Sequence, residues 1–241
     1  MKITDATWEK RNLGVTAMEV NLDGSETPAD LEQIRALACE YTVARCPAGA
    51  IELMFKLEDM GYRYIETMFD ARRDLKNLES ALPSMAKRIA AGIVCEPMNE
   101  ADLAELNRQL RLNIFYTDRV YVDPGFTPAQ AARRYIGWIE DSLANGYEAF
   151  KCVWKGKAAG FFVSRAEKGE SHVLFVGVYK EYENAGLGTG VIAASLRQAA
   201  AAGAKYARGG VSTNNMPSVN AHLALGYRIM ATFYVYVKHS G

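Results

Sequence analysis

Eight residues, Glu183 to Gly190 (Glu-Asn-Ala-Gly-Leu-Gly-Thr-Gly), follow an apolar run from Val173 to Val178 and lead into a helix-patterned stretch ending before Gly203. A strand, a glycine loop and a helix start in this order restrict the segment to an α/β unit. Glycines at 186, 188 and 190 leave backbone N–H groups unobstructed at a helix N-terminus. There the orphan donors and the macrodipole together favour an anion. The loop therefore points to a phosphate-bearing cofactor.

Two common phosphate loops do not fit. A dinucleotide fold needs Gly-x-Gly-x-x-Gly within a βαβ unit and an acidic residue some way downstream, and a P-loop closes on Lys-Ser/Thr. The flanks fit something else. The run Val176-Gly177-Val178-Tyr179-Lys180-Glu181-Tyr182-Glu183-Asn184-Ala185-Gly186-Leu187-Gly188 resembles the acetyl-CoA signature of the GNAT N-acetyltransferase superfamily, Val-x-Val-x-Pro-x-Tyr-Arg/Gln-x-x-Gly-x-Gly/Ala. Lys180 stands where proline is usual and Glu183 where the family has Arg or Gln. Downstream, Asn215, His222 seven residues on, and Gly226-Tyr227 resemble the Asn-x-x-Ala-x-x-x-Tyr-x-x-x-Gly-Phe block of the same superfamily.

The resemblance implies acetyl-CoA as cosubstrate, held by Val176, Gly177, Val178, Ala185, Gly186, Leu187, Gly188, Thr189, Gly190 and Asn215. It also implies a β-bulge near Val176 to Val178 that turns a backbone N–H toward the thioester carbonyl. His222 falls where the family has the tyrosine that protonates the departing thiolate. An imidazolium can do this, since its reference pKa of ~6.5 lies nearer neutrality than that of a phenol, ~10. Glu183 is expected to point away from the phosphates, because a carboxylate beside them would repel them.

Chain organisation follows the same order. Ile89 to Cys95 reads as a strand, Asn99 as the N-cap of a helix carrying Leu103, Leu106 and Leu110, and Thr127-Pro128-Ala129-Gln130 as a capping box opening a helix to about Leu143. Strands at Ala149–Trp154 and Ala158–Ser164 flank Lys155-Gly156-Lys157; Tyr206 to Ser212 and Ile229 to Val237 read as the last two strands. In the first half, Gly61-Tyr62-Arg63-x-x-x-Thr67-x-Phe69 echoes Gly226-Tyr227-Arg228-x-x-x-Thr232-x-Tyr234. The expectation is an α/β chain: a GNAT fold at 88–241, with a central mixed, mostly antiparallel sheet flanked by helices. A smaller partial GNAT-like α/β domain precedes it at 1–87, with Asp70 to Lys87 as connection. That first half has no glycine loop, so it would shape the acceptor site rather than bind cofactor.

The resemblance implies a small amine as acceptor, and the stretch Arg111 to Phe126 would contact it. Tyr116, Asp118 and Arg119 are the candidate substrate residues there: aromatic rings stack on sugars or bases, and arginine holds phosphate bidentately. The layout of the whole chain, with Trp8-Glu9 and Leu13-Gly14 at its start, resembles the amino-sugar branch of the superfamily, the TDP-fucosamine acetyltransferases. That resemblance implies a nucleotide-linked amino sugar. A polyamine, an amino acid or another small amine is the alternative, with Asp118, Asp123 and Glu140 as an acidic groove; a non-catalytic acyl-CoA-binding module is another.

Lys plus Arg equals Asp plus Glu, so the formal net charge of zero gives no bulk attraction to nucleic acid or an anionic membrane. No apolar run approaches the ~20 residues needed to span a bilayer. The start lacks a signal-peptide core, and the chain reads as cytoplasmic. Cys39, Cys46, Cys95 and Cys152 lack metal-ligand spacing, so reduced thiols and no metal are expected. A homodimer is left open.

Overall fold

The C-terminal strand lies between two strands of the N-terminal half, and this arrangement sets the architecture. The structure is a computed structural model that describes residues 1–240. The first half runs β1 (Lys2–Asp5), α1 (Trp8–Asn12), β2 (Ala17–Asn21), α2 (Pro28–Arg35), β3 (Tyr41–Pro47), α3 (Ile51–Asp59) and β4 (Arg63–Asp74). Two short helices, α4 (Leu78–Ala81) and α5 (Ser84–Ala91), lead to β5 (Ile93–Pro97). Then come α6 (Glu100–Arg111), α7 (Arg119–Val122), α8 (Pro128–Ala144), β6 (Glu148–Trp154), β7 (Lys157–Glu167), β8 (Glu170–Val178), α9 (Gly188–Ala201), β9 (Tyr206–Ser212), α10 (Met216–Ala224) and β10 (Arg228–His239).

All ten strands form one sheet in the order β1-β2-β3-β10-β4-β9-β8-β7-β6-β5. About the β10–β4 junction the order is mirrored: β4 answers β10, β9 answers β3, β8 answers β2 and β7 answers β1. The parallel pairs correspond too, β2 with β3 and β8 with β9. The register locates the axis, because Met68 pairs with Phe233, Thr67 with Tyr234 and Phe69 with Thr232. These are the equivalent positions of the repeated Gly-Tyr-Arg pattern, so the two copies meet as neighbours across a pseudo-two-fold. Each copy's glycine ends its helix in the left-handed region, Gly61 at φ 85° and Gly226 at φ 82°. Each following tyrosine, Tyr62 or Tyr227, is buried.

Two expectations need correction. Ile89 to Ala91 belongs to α5, and the strand begins at Ile93. Asp70 to Asp74 is the end of β4, paired with Gly210 to Tyr206 of β9. The linking segment is therefore only α4 and α5, and position 87/88 falls inside α5. Both helices pack Leu78, Leu82, Ala86 and Ala90 into a core with Ile192 and Leu196 of α9. Capping boxes at Asn99–Asp102 and Thr127–Gln130 start α6 and α8 as their sequences foretell.

The parallel pairs differ where it matters. β2 and β3 stay paired over five residues, Ala17–Asn21. β8 and β9 pair only at Glu170, Ser171 and His172, then diverge. A β-bulge contributes to the divergence: opposite β7, Val163 pairs with Phe175 but Ser164 with Val173, which leaves Leu174 as the extra residue. The bulge thus sits at Leu174, ahead of the expected Val176 to Val178. Beyond His172, β8 has a free edge facing a cleft.

Candidate active site

The glycine loop opens on that cleft. Asn184 (φ 63°) and Gly186 (φ 74°) both take left-handed backbone, which turns the chain into the first turn of α9. Leu187 precedes the helix and gives no side-chain cap, so the leading N–H groups lack a side-chain acceptor. At Gly188 a Cβ would have no neighbour within 4 Å, and its backbone is not left-handed. Nothing in the protein requires glycine there, so the bare backbone borders open space. Gly190 is different: a Cβ would collide with the Ile89 side chain, so this glycine serves the contact between α9 and α5.

A cavity of ≈ 470 Å³ lies against this turn. Its walls include Val176, Gly177 and Val178 of β8, Gly186, Leu187, Gly188 and Thr189 of the loop, and Asn215 with Ser218 of α10. Ala185 and Gly190 are not in the walls. Asn215 has a local task as well, accepting the Ser218 N–H at 3.1 Å as the N-cap of α10. On the opposite wall stand Phe115 and Tyr116, with Lys180 Nζ 6.0 Å from the Tyr116 ring centre.

Glu183 lines the cavity rather than turning away, and its carboxylate is ion-paired with Lys180 Nζ. The two departures from the family signature are therefore partners, each masking the other's charge. The Glu183 bond raises the Lys180 pKa. The segment is braced from behind: Gln109, fully buried, accepts the Lys180 N–H at 2.8 Å and donates to Glu181 at 2.9 Å.

A second cavity of ≈ 170 Å³ shares Phe115, Thr117, Val176, Asn215 and Ser218 with the first, so the cleft continues through the sheet. His222 lines this inner part. The residue is 6% exposed, its Nδ1 is 2.8 Å from the Ser218 carbonyl oxygen, and its ring meets Tyr227 edge-on at 4.8 Å. Burial lowers its pKa, so a neutral ring with Nδ1–H donating to Ser218 is favoured, leaving Nε2 without a hydrogen.

The inner cavity also holds a residue that the sequence did not single out. Glu66 of β4 is 3% exposed and lines it, and burial raises its carboxyl pKa. The repeat carried the signal, because Glu66 aligns with Ala231 in the second copy and puts a carboxylate where the twin strand has a methyl.

The three candidate substrate residues separate. Tyr116 is half-exposed on the outer cavity. Asp118 lines the inner one, but also accepts the Val120 N–H at 2.9 Å to cap α7. Arg119 lines the inner cavity and a third one of ≈ 480 Å³ between the two halves. Arg111 and Glu140 are exposed, and Asp123 is buried with its carboxylate 3.0 Å from His239 Nε2. Among the described residues, no cluster has a metal-ligand arrangement, and no helix is long and apolar enough to cross a membrane.

The first copy's equivalent of the loop is closed by its own side chain. Between β2 and α2, Glu26 accepts the Asp23 N–H at 2.7 Å and the Gly24 N–H at 3.0 Å. Glu26 thus holds two loop N–H groups, and Thr27 caps the first turn of α2 by accepting the Asp30 N–H, so this turn offers a phosphate fewer free donors.

Residues 121–227 match the model of the acetyltransferase (GNAT) family. Among solved structures, a functionally unknown conserved protein from Staphylococcus epidermidis aligns with TM-score 0.64 and 10% identity over 93% of this chain and 84% of its own. A tandem GNAT protein of the clavulanic acid biosynthesis pathway gives 0.56 and 15% over 88% and 68%. A GCN5-related N-acetyltransferase from Sphaerobacter thermophilus gives 0.57 and 13% over 83% and 59%. No curated protein matches in sequence. The architecture is the α/β GNAT fold, a large mixed sheet flanked by helices, and residues 121–227 are the part that matches the family model.

Proposed function

We propose that this protein transfers an acetyl group from acetyl-CoA to the amine of a small acceptor, by direct attack within a ternary complex. The observation that carries the reading is the continuous cleft between the diverging strands β8 and β9. One end is a bare helix N-terminus with a glycine that packing does not require; the other holds a buried carboxylate and imidazole. Amides of the Gly186–Thr189 turn would hold the pyrophosphate, and Asn215 and the β8 edge the pantetheine arm. Acetyl-CoA supplies the activated acyl carbonyl.

The chain's own groups manage the protons. Glu66 is the proposed general base: its raised pKa makes it a better proton acceptor than a solvated carboxylate, and it lies on the acceptor side of the cleft. His222 is the proposed proton relay to the leaving thiolate: its bare Nε2 takes up the proton that the acceptor ammonium loses, and because burial disfavours the imidazolium so formed, that proton passes readily to the thiolate.

The acceptor class we favour is an amino sugar, nucleotide-linked. An inward Arg119 supports it, whereas the acidic groove that a polyamine needs lacks Asp123 and Glu140. The test is CoA release from acetyl-CoA against TDP- and UDP-linked amino sugars, polyamines and amino acids, with wild type and Glu66→Gln. Amine-dependent release that falls at least 100-fold in Glu66→Gln is expected. Acetyl-CoA binding without release for any amine would overturn the catalytic reading.

A further inference from the structure

The third cavity joins the cleft through Met68, Arg119, Trp138 and Leu174, which line both it and the inner cavity. Its walls come from both halves: α1, β2 and β3 on one side, α7 and α8 on the other. The lining holds three guanidinium groups, Arg45, Arg119 and Arg134, and three carboxylates, Glu9, Glu19 and Asp141. Formal charge balances, but the pairing does not.

Arg134 donates to Glu9 at 2.6 Å, and Asp141 is engaged by Arg11 at 2.7 Å. The other two arginines have only long ion pairs, Arg119 to Glu19 at 3.6 Å and Arg45 to Asp70 at 3.9 Å, beyond hydrogen-bond reach. Yet the Arg119 side chain is only 12% exposed. Arg45 Nε, Arg119 Nε, Arg134 Nη1 and Asn12 Nδ2 are buried with no partner, against two unpartnered oxygens that can accept, Glu9 Oε2 and the Tyr41 hydroxyl near Arg119. Orphan donors still outnumber orphan acceptors, an imbalance that an oxygen-rich ligand would relieve. Trp138, with Arg134 4.9 Å over its ring, supplies a flat wall beside them.

We propose that this cavity is the anion subsite of the acceptor: the amine reaches Glu66 in the inner cavity while a phosphate or carboxylate on the same molecule is held by Arg119 and Arg45. The inference rests on the acetyl-transfer reading for the word acceptor, but the anion site stands or falls by itself. It gives the N-terminal half a task, since Arg45 and the α1–β2 wall are its contribution to specificity.

The test is equilibrium binding to the intact protein without acetyl-CoA, by calorimetry. The probes are glucosamine and glucosamine 6-phosphate, a UDP-linked amino sugar and UDP alone, and an amino acid with its uncharged amide. At least tenfold tighter binding of the anionic member of a pair is expected, with the phosphate and carboxylate arms showing which anion is preferred. Arg119→Gln should remove that preference and leave the weak neutral binding and the acetyl-CoA Kd unchanged. Arg45→Gln, at a more exposed site, gives the same reading if Arg119→Gln does not fold, and Arg108→Gln on the surface of α6 is the control. Equal binding of charged and uncharged members, or an unchanged preference in both variants, overturns the subsite. Failure of acetyl-CoA to bind, with the anion preference intact, would instead sink only the acetyl-transfer reading.

Discussion

Gly188→Val separates a ligand role for the loop from a folding role. The position opens α9, and a Cβ there meets nothing within 4 Å, so a side chain can start from this position without a clash at Cβ. Helix propensities of valine and glycine differ by less than about 0.5 kcal/mol, which bounds the stability change. A phosphate approaching the turn would meet the branched side chain and lose close contact with the first N–H groups. Losing two charge-assisted hydrogen bonds at about 1.5 kcal/mol each removes about 3 kcal/mol, or about 100-fold in Kd. Gly190→Val is the counterpart: its side chain would press on Ile89, costing about 1–3 kcal/mol of stability with less direct effect on binding. Calorimetric titration with acetyl-CoA and thermal unfolding of both variants check this. Wild-type affinity in Gly188→Val, or a drop in Tm as large as that of Gly190→Val, would refute the reasoning.

Further predictions follow from the charged groups. Glu183→Gln should tighten acetyl-CoA binding several-fold at low salt by freeing Lys180, and Lys180→Ala should weaken it, both read by titration. Glu66→Gln should be neutral or stabilising at pH 7. The Glu66 pKa is raised on folding, so its charged form opposes folding once the pH rises above the unfolded carboxyl pKa, and the advantage of the variant should vanish as pH falls below about 4.5 in thermal melts. For His222 the sign is opposite: its folded pKa is lowered, so stability is full above about 6.5 and is lost as pH falls toward the folded value. His222→Phe should flatten that acid limb, as urea unfolding from pH 7 to 5 would record.

Local signals in the sequence were strong where one segment decides the structure. Asn99 and Thr127 start their helices because a capping box is complete within four residues, and Tyr206 to Ser212 is a strand as its pattern says. The glycine loop is legible for the same reason. Ile89 reads as strand in the sequence because an apolar β-branched residue beside the strand's start satisfies either period; its helical place in α5 shows only in its contact with Gly190. The bulge at Leu174 lies inside an apolar run that shows no break. Glu66 is ordinary in its own strand; it becomes a cleft residue only because β10 inserts between β3 and β4, a pairing in which Glu66 meets Val235, far along the chain. The repeat, by contrast, was legible as nine residues and proves to mark the pseudo-two-fold itself.

Hydrogen–deuterium exchange with and without acetyl-CoA tests the central claim most directly, because the chain contains its own control. The account predicts slowed exchange in peptides covering 184–191 and 214–218, and no change at 22–27, where Glu26 already holds the backbone donors. Protection at 22–27, or none at 184–191 under saturating acetyl-CoA, would contradict it.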